Sequence, residues 1–397
     1  MRARREPEPR GGRPAPPEIA GLAIASLAEG GPPTPAEVDA FVEAHEFPIV
    51  EGPRCTFVYR GKADAVRLRH WIFGLPSAVP LTPVEGADLW YDVLELPEGS
   101  RIEYKLEVTR GRETEWIRDP LNPRVAHDPF GANSVCHAAG YETPEWTRPQ
   151  PEVREGSLEE RVFQSRALGA PRRITIYRPA RFRASRRYPL LLVHDGGDYL
   201  RYAALKTVLD NLIHRLEIPG VVAALTHPSE RMDQYRVSDA HSTYLAEELV
   251  PRLEDELPLV GEPRGRCLMG SSLGAVATLA AAVRHPGFFG RLVLQSGSFA
   301  FSDIGGHDRG PAFDPVVEFM NGYRRNPTAV SEKVYMSCGI YESLIYENRS
   351  LVPVLQRTGM DVQFQESRDG HNWENWRDRL RDGLSWLFPG PLWLVYE

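Results

Sequence analysis

Residues 267–274 read C-L-M-G-S-S-L-G, an apolar run that stops in a small, polar segment flanked by glycines. Within it Gly270-Ser271-Ser272-Leu273-Gly274 matches G-x-S-x-G, the pattern of a nucleophile elbow. The pattern alone is weak, because ordinary glycine and serine usage produces it by chance in roughly one chain in ten of this length. Its setting says more. A strand-like run precedes it, and "LGAVATLAAAVRH" follows, a stretch of alanine, leucine and valine that reads as a helix buried against a sheet. Small residues at 270 and 274 let strand and helix pack closely at a sharp turn. The helix start then aims free amides at Ser272, which makes the Leu273 N–H a candidate oxyanion donor.

Working outward, the chain from residue 157 alternates strand and helix. "RRITIYRP", "YPLLLVHDGG", "GVVAAL", "RGRCLMG", "RLVLQSG", "KVYMSCG" and "DVQFQES" read as strands, and "RYAALKTVLDNLIHRL", "STYLAEELVPRLEDEL" (broken or bent at Pro251) and "NWENWRDRLRDGLSWLF" as helices. Fully apolar strands alternating with helices predict an α/β fold, a mostly parallel sheet with helices on both faces, as in the α/β-hydrolases.

A serine hydroxyl needs a base, and the base needs an orienting acid. In this fold class they follow the serine in the order acid, then histidine, on loops after later strands. Glu342 lies just after "KVYMSCG", and His371 follows "DVQFQES". They are the candidate acid and base, with Glu347 and Asp369 as alternative acids. The strand "LLLVHDGG" ends in two glycines that let backbone approach a substrate, and Gly197 N–H is the candidate second oxyanion donor. The competing reading of that dipeptide is an ordinary tight turn.

Composition narrows the function classes. Of 397 residues, 42% are hydrophobic and 25% charged, with a net charge of −7, as in ordinary globular proteins. No basic field points to nucleic acid or to an anionic membrane as a partner, and no apolar run is long enough to span a bilayer. The eleven histidines show no metal-ligand spacing, so neither a metal nor any other cofactor is expected. The four cysteines form no C-x-x-C pair; a Cys55–Cys136 disulfide is the pairing left open.

The first half has a different texture. Residues 1–44 read as a disordered leader and a short helix, "PTPAEVDAFVEAHEF", with Thr34, Pro35 and Glu37 set for a capping box. A signal peptide is the alternative for the arginine-rich start; the default location is cytoplasmic. Residues 45–143 alternate short strands with turns, as a β-sandwich does. Residues 144–156 are proline-rich and read as a linker, and 157–397 form the catalytic domain. Apolar strand edges in the sandwich suit a homo-oligomer.

The segments "HDGGDYL", "ERMDQYR", "MGSSLGAVATLAA", "LQSGSF", "CGIYESLIYENRSL" and "DGHNWENWRDRL" together resemble the enterochelin (ferric enterobactin) esterase family, within the esterase-D/feruloyl-esterase branch of the α/β-hydrolases. "VRLRHW", "LPEGSRIEYKLEV" and "EWIRDPLNPRVAHDPFGANSV" resemble that family's immunoglobulin-like early-set domain. The resemblance implies Ser272 as nucleophile, Glu342 as acid and His371 as base. It further implies a small-molecule ester substrate, a ferric tri-serine catecholate siderophore, whose cleavage helps release iron. An anionic substrate implies cationic side chains, Arg231 first and Arg236 behind it, and an aromatic wall from Trp373 with Trp376. Two other readings stand beside it: a carbohydrate-linked ester hydrolase of feruloyl or acetyl type, and a non-catalytic glycan- or siderophore-binding module. Trp71, Trp90 and Trp116 serve the sugar readings if exposed, and the sandwich core if not.

Overall fold

Continuous apolar runs in the second half produce strands whose side chains point to two opposite, buried faces. In the computed structural model, which describes residues 17–302 and 309–391, eight strands form one sheet. They are β1 (Ser157–Ser165), β2 (Ala170–Arg178), β3 (Leu190–Val193), β4 (Val222–Thr226), β5 (Arg266–Ser271), β6 (Arg291–Gln295), β7 (Lys333–Gly339) and β8 (Asp361–Ser367). Their spatial order is β1-β2-β4-β3-β5-β6-β7-β8, antiparallel through β1, β2 and β4 and parallel from β4 to β8. This is the α/β-hydrolase arrangement.

The period of two is visible in the packing. Leu190, Leu192, Leu268, Leu292 and Leu294 join one core with the helices Leu273–Arg284 and Ile345–Gln356. Leu191, Val193, Cys267, Met269 and Val293 join a second core with Leu205–His214 and the C-terminal helices Trp373–Asp378 and Leu380–Leu387. Both faces are covered, so strands β3 to β6 carry almost no exposed side chain.

Strand β1 is absent from the expectations above. Its sequence, SLEERVFQS, is mostly polar and its burial alternates, because it lies at the sheet border and pairs with β2 alone. Arg161 bonds Glu159 and Glu256, and Arg178 also reaches Glu159. The opposite border, β8, is similarly polar, with Glu366 paired to Arg349. At Pro251 the helix is not broken: a π-helical stretch, Tyr244–Leu249, leads into Val250–Glu256 with the proline in the first turn, where its missing N–H costs little. Residues 144–156 are packed rather than free. Asn211 donates to the Trp146 and Arg148 carbonyls, and the Gly156 N–H donates to Asp210.

By contact pattern the chain divides into two units, residues 1–126 with 132–141, and 127–131 with 142–397. In the first, one sheet joins Ile49–Glu51, Arg54–Arg60, Leu89–Glu95 and Thr82–Pro83, and another is built mainly from Ala65–His70, Arg101–Arg110 and Gly131–His137. Phe57 of the first sheet meets Tyr104 of the second edge to face at 4.8 Å. Cys55 and Cys136 lie buried as free thiols, so the disulfide left open by the sequence is not formed. The helix Pro35–Ala44 carries the expected capping box: Thr34 N–H donates to Glu37 Oε2 at 2.7 Å, and Glu37 N–H to Thr34 Oγ1 at 3.3 Å. The reading of residues 1–16 as disordered leader or signal peptide lies outside the described residues. No helix among the described residues is long and apolar enough to cross a membrane.

Candidate active site

Ser272 joins β5 to the helix Leu273–Arg284 with φ 54° and ψ −123°, a region that costs a non-glycine residue about 1–3 kcal/mol. The strain is held by hydrogen bonds on both sides. Ser272 N–H donates to Gln295 O at 2.9 Å, and Ser298 N–H donates to Ser272 O at 3.2 Å. A Cβ on Gly270 would stand 2.3 Å from the Gly274 carbonyl oxygen, so the turn admits only glycine there.

Glu342 and His371 follow β7 and β8 at the same carboxyl edge of the sheet. Glu342 Oε2 lies 2.6 Å from His371 Nδ1, while Oε1 accepts the Ser296 hydroxyl at 2.6 Å and the Gly339 N–H at 2.9 Å. A carboxylate only accepts, so Nδ1 carries the imidazole proton and Nε2 keeps its lone pair. Trp376 steadies the pair twice: its ring meets His371 edge to face at 5.0 Å, and its indole N–H donates to Ser296 Oγ at 2.9 Å. The alternative acids are engaged elsewhere. Glu347 pairs with Arg309 at 2.9 Å, and burial above all raises its carboxyl to about 7. Asp369 Oδ1 accepts from Gly370 N–H and Asn372, each at 2.7 Å.

The structure thus brings Glu342 and His371 into contact and puts Ser272 at the carboxyl end of β5, on the same edge of the sheet. It does not join Ser272 to His371 by a hydrogen bond; the serine hydroxyl meets Ser298 Oγ at 3.3 Å instead. Catalytic hydrogen bonds are often loose without substrate. Neither the Leu273 nor the Gly197 N–H has an acceptor among the described residues. Gly196 must be glycine, since a Cβ there would fall 2.3 Å from Leu225 Cβ.

The expected substrate contacts sit differently. Arg231 is bound through Nε and a terminal nitrogen to Asp195, at 2.8–3.1 Å. Arg236 is tied to Asp233 and the Ala312 carbonyl. Trp373 is buried among Tyr199, Tyr202 and Trp376, so its ring packs the core beneath the C-terminal helices. Of the tryptophans left open between sugar contact and sandwich core, Trp71 and Trp116 are half exposed, and Arg69 covers the Trp116 ring at 4.8 Å. Trp90 is half-buried and donates to Gly61 O. Ser296, Ser298 and Trp376 were not singled out for these roles; the signal for the serines was "QSGS" at the end of β6, next to the strand that leads to Ser272.

Behind β3 two histidines are buried in contact, with His194 Nε2 3.0 Å from His241 Nε2. Burial holds both below the ordinary imidazole range, His194 at about 4. A depressed imidazole stabilises the fold fully above the unfolded value near 6.5. That stability drains as pH falls toward 4, where the unfolded chain takes protons the folded chain refuses. Urea unfolding should therefore show a loss on the order of 3 kcal/mol from His194 alone between pH 7 and pH 4. His194→Asn should flatten the slope; equal slopes in both proteins would contradict the assignment.

Among the described residues no group of three or more histidine, cysteine or acidic side chains is placed to hold a metal ion. The model of the family described as "Putative esterase" matches residues 165–387. Iron(III) enterobactin esterase of Escherichia coli O6:H1 is 25% identical over 299 residues, 74% of this chain and 72% of that protein. The crystal structure of enterochelin esterase from Shigella flexneri superposes with a TM-score of 0.71 at 20% identity, covering 89% of this chain and 98% of that one. A ferulic acid esterase superposes at 0.52 with 18% identity, over 59% of this chain and 98% of its own. The chain belongs to this esterase family: it is an ester hydrolase of the α/β-hydrolase fold, similar to the enterochelin esterases.

Proposed function

We propose that this protein is a serine esterase acting on a catecholate tri-serine lactone siderophore or its linear fragments. In this reading His371 Nε2 takes the proton of Ser272 Oγ as the oxygen attacks the ester carbonyl. The tetrahedral oxyanion sits between the Leu273 and Gly197 amides, and Glu342 stabilises the imidazolium. The imidazolium then protonates the leaving alcohol, and water repeats the sequence on the acyl-enzyme. The observation that carries the chemistry is the 2.6 Å contact of His371 with Glu342, at the sheet edge where the strained Ser272 turn emerges. No step calls for a cofactor. The first unit, read as an immunoglobulin-like early-set domain over residues 45–143, belongs to this reading, as does a cytoplasmic location.

The siderophore half rests on likeness that runs through both units. A Shigella flexneri enterobactin esterase structure obtained in the presence of enterobactin superposes over 90% of this chain, with a TM-score of 0.72 at 19% identity. A second reading, a carbohydrate-linked ester hydrolase, is favoured by the exposed Trp71 and Trp116. A panel separates them. Ferric tri-serine catecholate should be cleaved with kcat/KM at least ~10-fold above a feruloylated oligosaccharide, a margin of about 1.4 kcal/mol in transition-state binding. The reverse order would hand the assignment to the sugar ester.

A further inference from the structure

Asp195 stands at a junction. It lies one residue beyond β3, after His194, and precedes the two glycines, in the left-handed region at φ 51° and ψ 39°. All its polar atoms are engaged. Its N–H donates to Tyr235 Oη at 3.0 Å, and its carbonyl accepts from the Asp198 and Tyr199 amides, both at 3.0 Å. Its carboxylate is 2% exposed and takes both prongs of Arg231, whose own side chain is 39% exposed and lies 5.2 Å over the Tyr235 ring. On its other side the carboxylate faces the nucleophile helix: a Cβ on Gly274 would lie 3.4 Å from Asp195 Oδ2.

A buried carboxylate is costly unless paired and fully hydrogen-bonded, and a left-handed aspartate is strained. Both features sit where the loop after β3 touches the start of the helix after Ser272. We propose that Asp195, locked by Arg231, is a positioning residue of the esterase reaction, fixing the start of the helix Gly196–Tyr202, which carries the Gly197 amide, against the helix that carries the Leu273 amide. Arg231 then serves the backbone and not the substrate. Its planar guanidinium satisfies both carboxylate oxygens at once and prevents the aspartate from turning. The inference rests on the proposed oxyanion amides, and it explains why a conspicuous arginine near the site has its charge spent on a neighbour. Two donors aimed at one oxygen tolerate little movement, since a 1 Å misplacement costs on the order of 10² in rate.

The experiment uses the full chain with Arg231→Gln, Arg231→Lys and Asp195→Asn. It measures kcat and KM on a neutral aryl acetate and on an anionic aryl hemisuccinate, together with inhibition by an arylboronic acid that mimics the tetrahedral state. Arg231→Gln and Asp195→Asn should lower kcat about 10- to 100-fold on both esters with KM changed less than about twofold. Boronate affinity should fall in parallel, and Arg231→Lys should recover part of the loss. Thermal melting checks the fold. If Asp195→Asn does not fold, the two Arg231 variants, altered at a partly exposed side chain, decide the matter. Unchanged kcat in a folded variant overturns the proposal, and so does a loss confined to KM for the hemisuccinate, which would make Arg231 a substrate contact. Fluorophosphonate labelling of the parent protein separates the two levels. A parent that neither labels nor turns over refutes the serine reading and the positioning role with it, whereas a labelled, active parent with indifferent variants refutes only the latter.

Discussion

Ser272→Ala is expected to hydrolyse short-chain aryl esters about 10⁶-fold more slowly than the parent protein. In the proposed mechanism the hydroxyl oxygen is the attacking atom, and nothing in the remaining machinery replaces it. What survives is the contribution of the oxyanion amides and of binding, roughly 10³–10⁴ over water. The fold should persist, because the 2.9 Å and 3.2 Å hydrogen bonds that hold the turn run through the backbone of residue 272 and not its side chain. Steady-state turnover and fluorophosphonate labelling both read the outcome. A variant with ordinary turnover would move the nucleophile elsewhere, and Ser298, whose hydroxyl lies 3.3 Å from that of Ser272, would be the first alternative.

Glu342→Gln should cost about 10⁴ in kcat, the loss typical when the orienting acid of a triad becomes an amide. The reason is geometric. Oε1 of Glu342 accepts from both Ser296 and the Gly339 N–H, so a glutamine would keep its carbonyl oxygen there. Its NH₂ would then face His371 Nδ1 and donate to it. The imidazole proton would move to Nε2, the nitrogen that has to receive the serine proton, and the base would be blocked. A loss smaller than about tenfold would mean that another group orients the histidine.

Much of this arrangement was legible in the chain. The turn at Ser272 announced itself through an apolar strand, two flanking glycines and an alanine-rich helix. Glu342 stood out as the first carboxylate after β7, and the Thr34–Glu37 capping box was readable from spacing alone. Other parts depend on contacts that no local pattern encodes. Trp376 meets Ser296 across 80 residues of sequence, and Asp195 meets Arg231 across 36. The arginine was noticed for its charge, but its partner sat inside a glycine-rich loop that drew attention for a different reason. Strand β1 escaped because a border strand needs no apolar run, and its Glu159-Glu160-Arg161 run resembles a solvated loop. Trp71 and Trp116 could be read from the sequence either as sandwich core or as exposed rings, and they lie half exposed.

The ionised outer strands of the catalytic sheet have a consequence for crowded conditions. Each flank of a sheet offers unpaired amides and carbonyls to any extended polypeptide, a template for runaway polymerisation. Here β1 presents Glu159 and Arg161, and β8 presents Glu366 with its arginine partner, so an incoming strand would have to strip water from charges before it could pair. The catalytic half of the molecule therefore carries its own protection against growing sideways into fibres, placed where the apolar centre of the same sheet would be most adhesive.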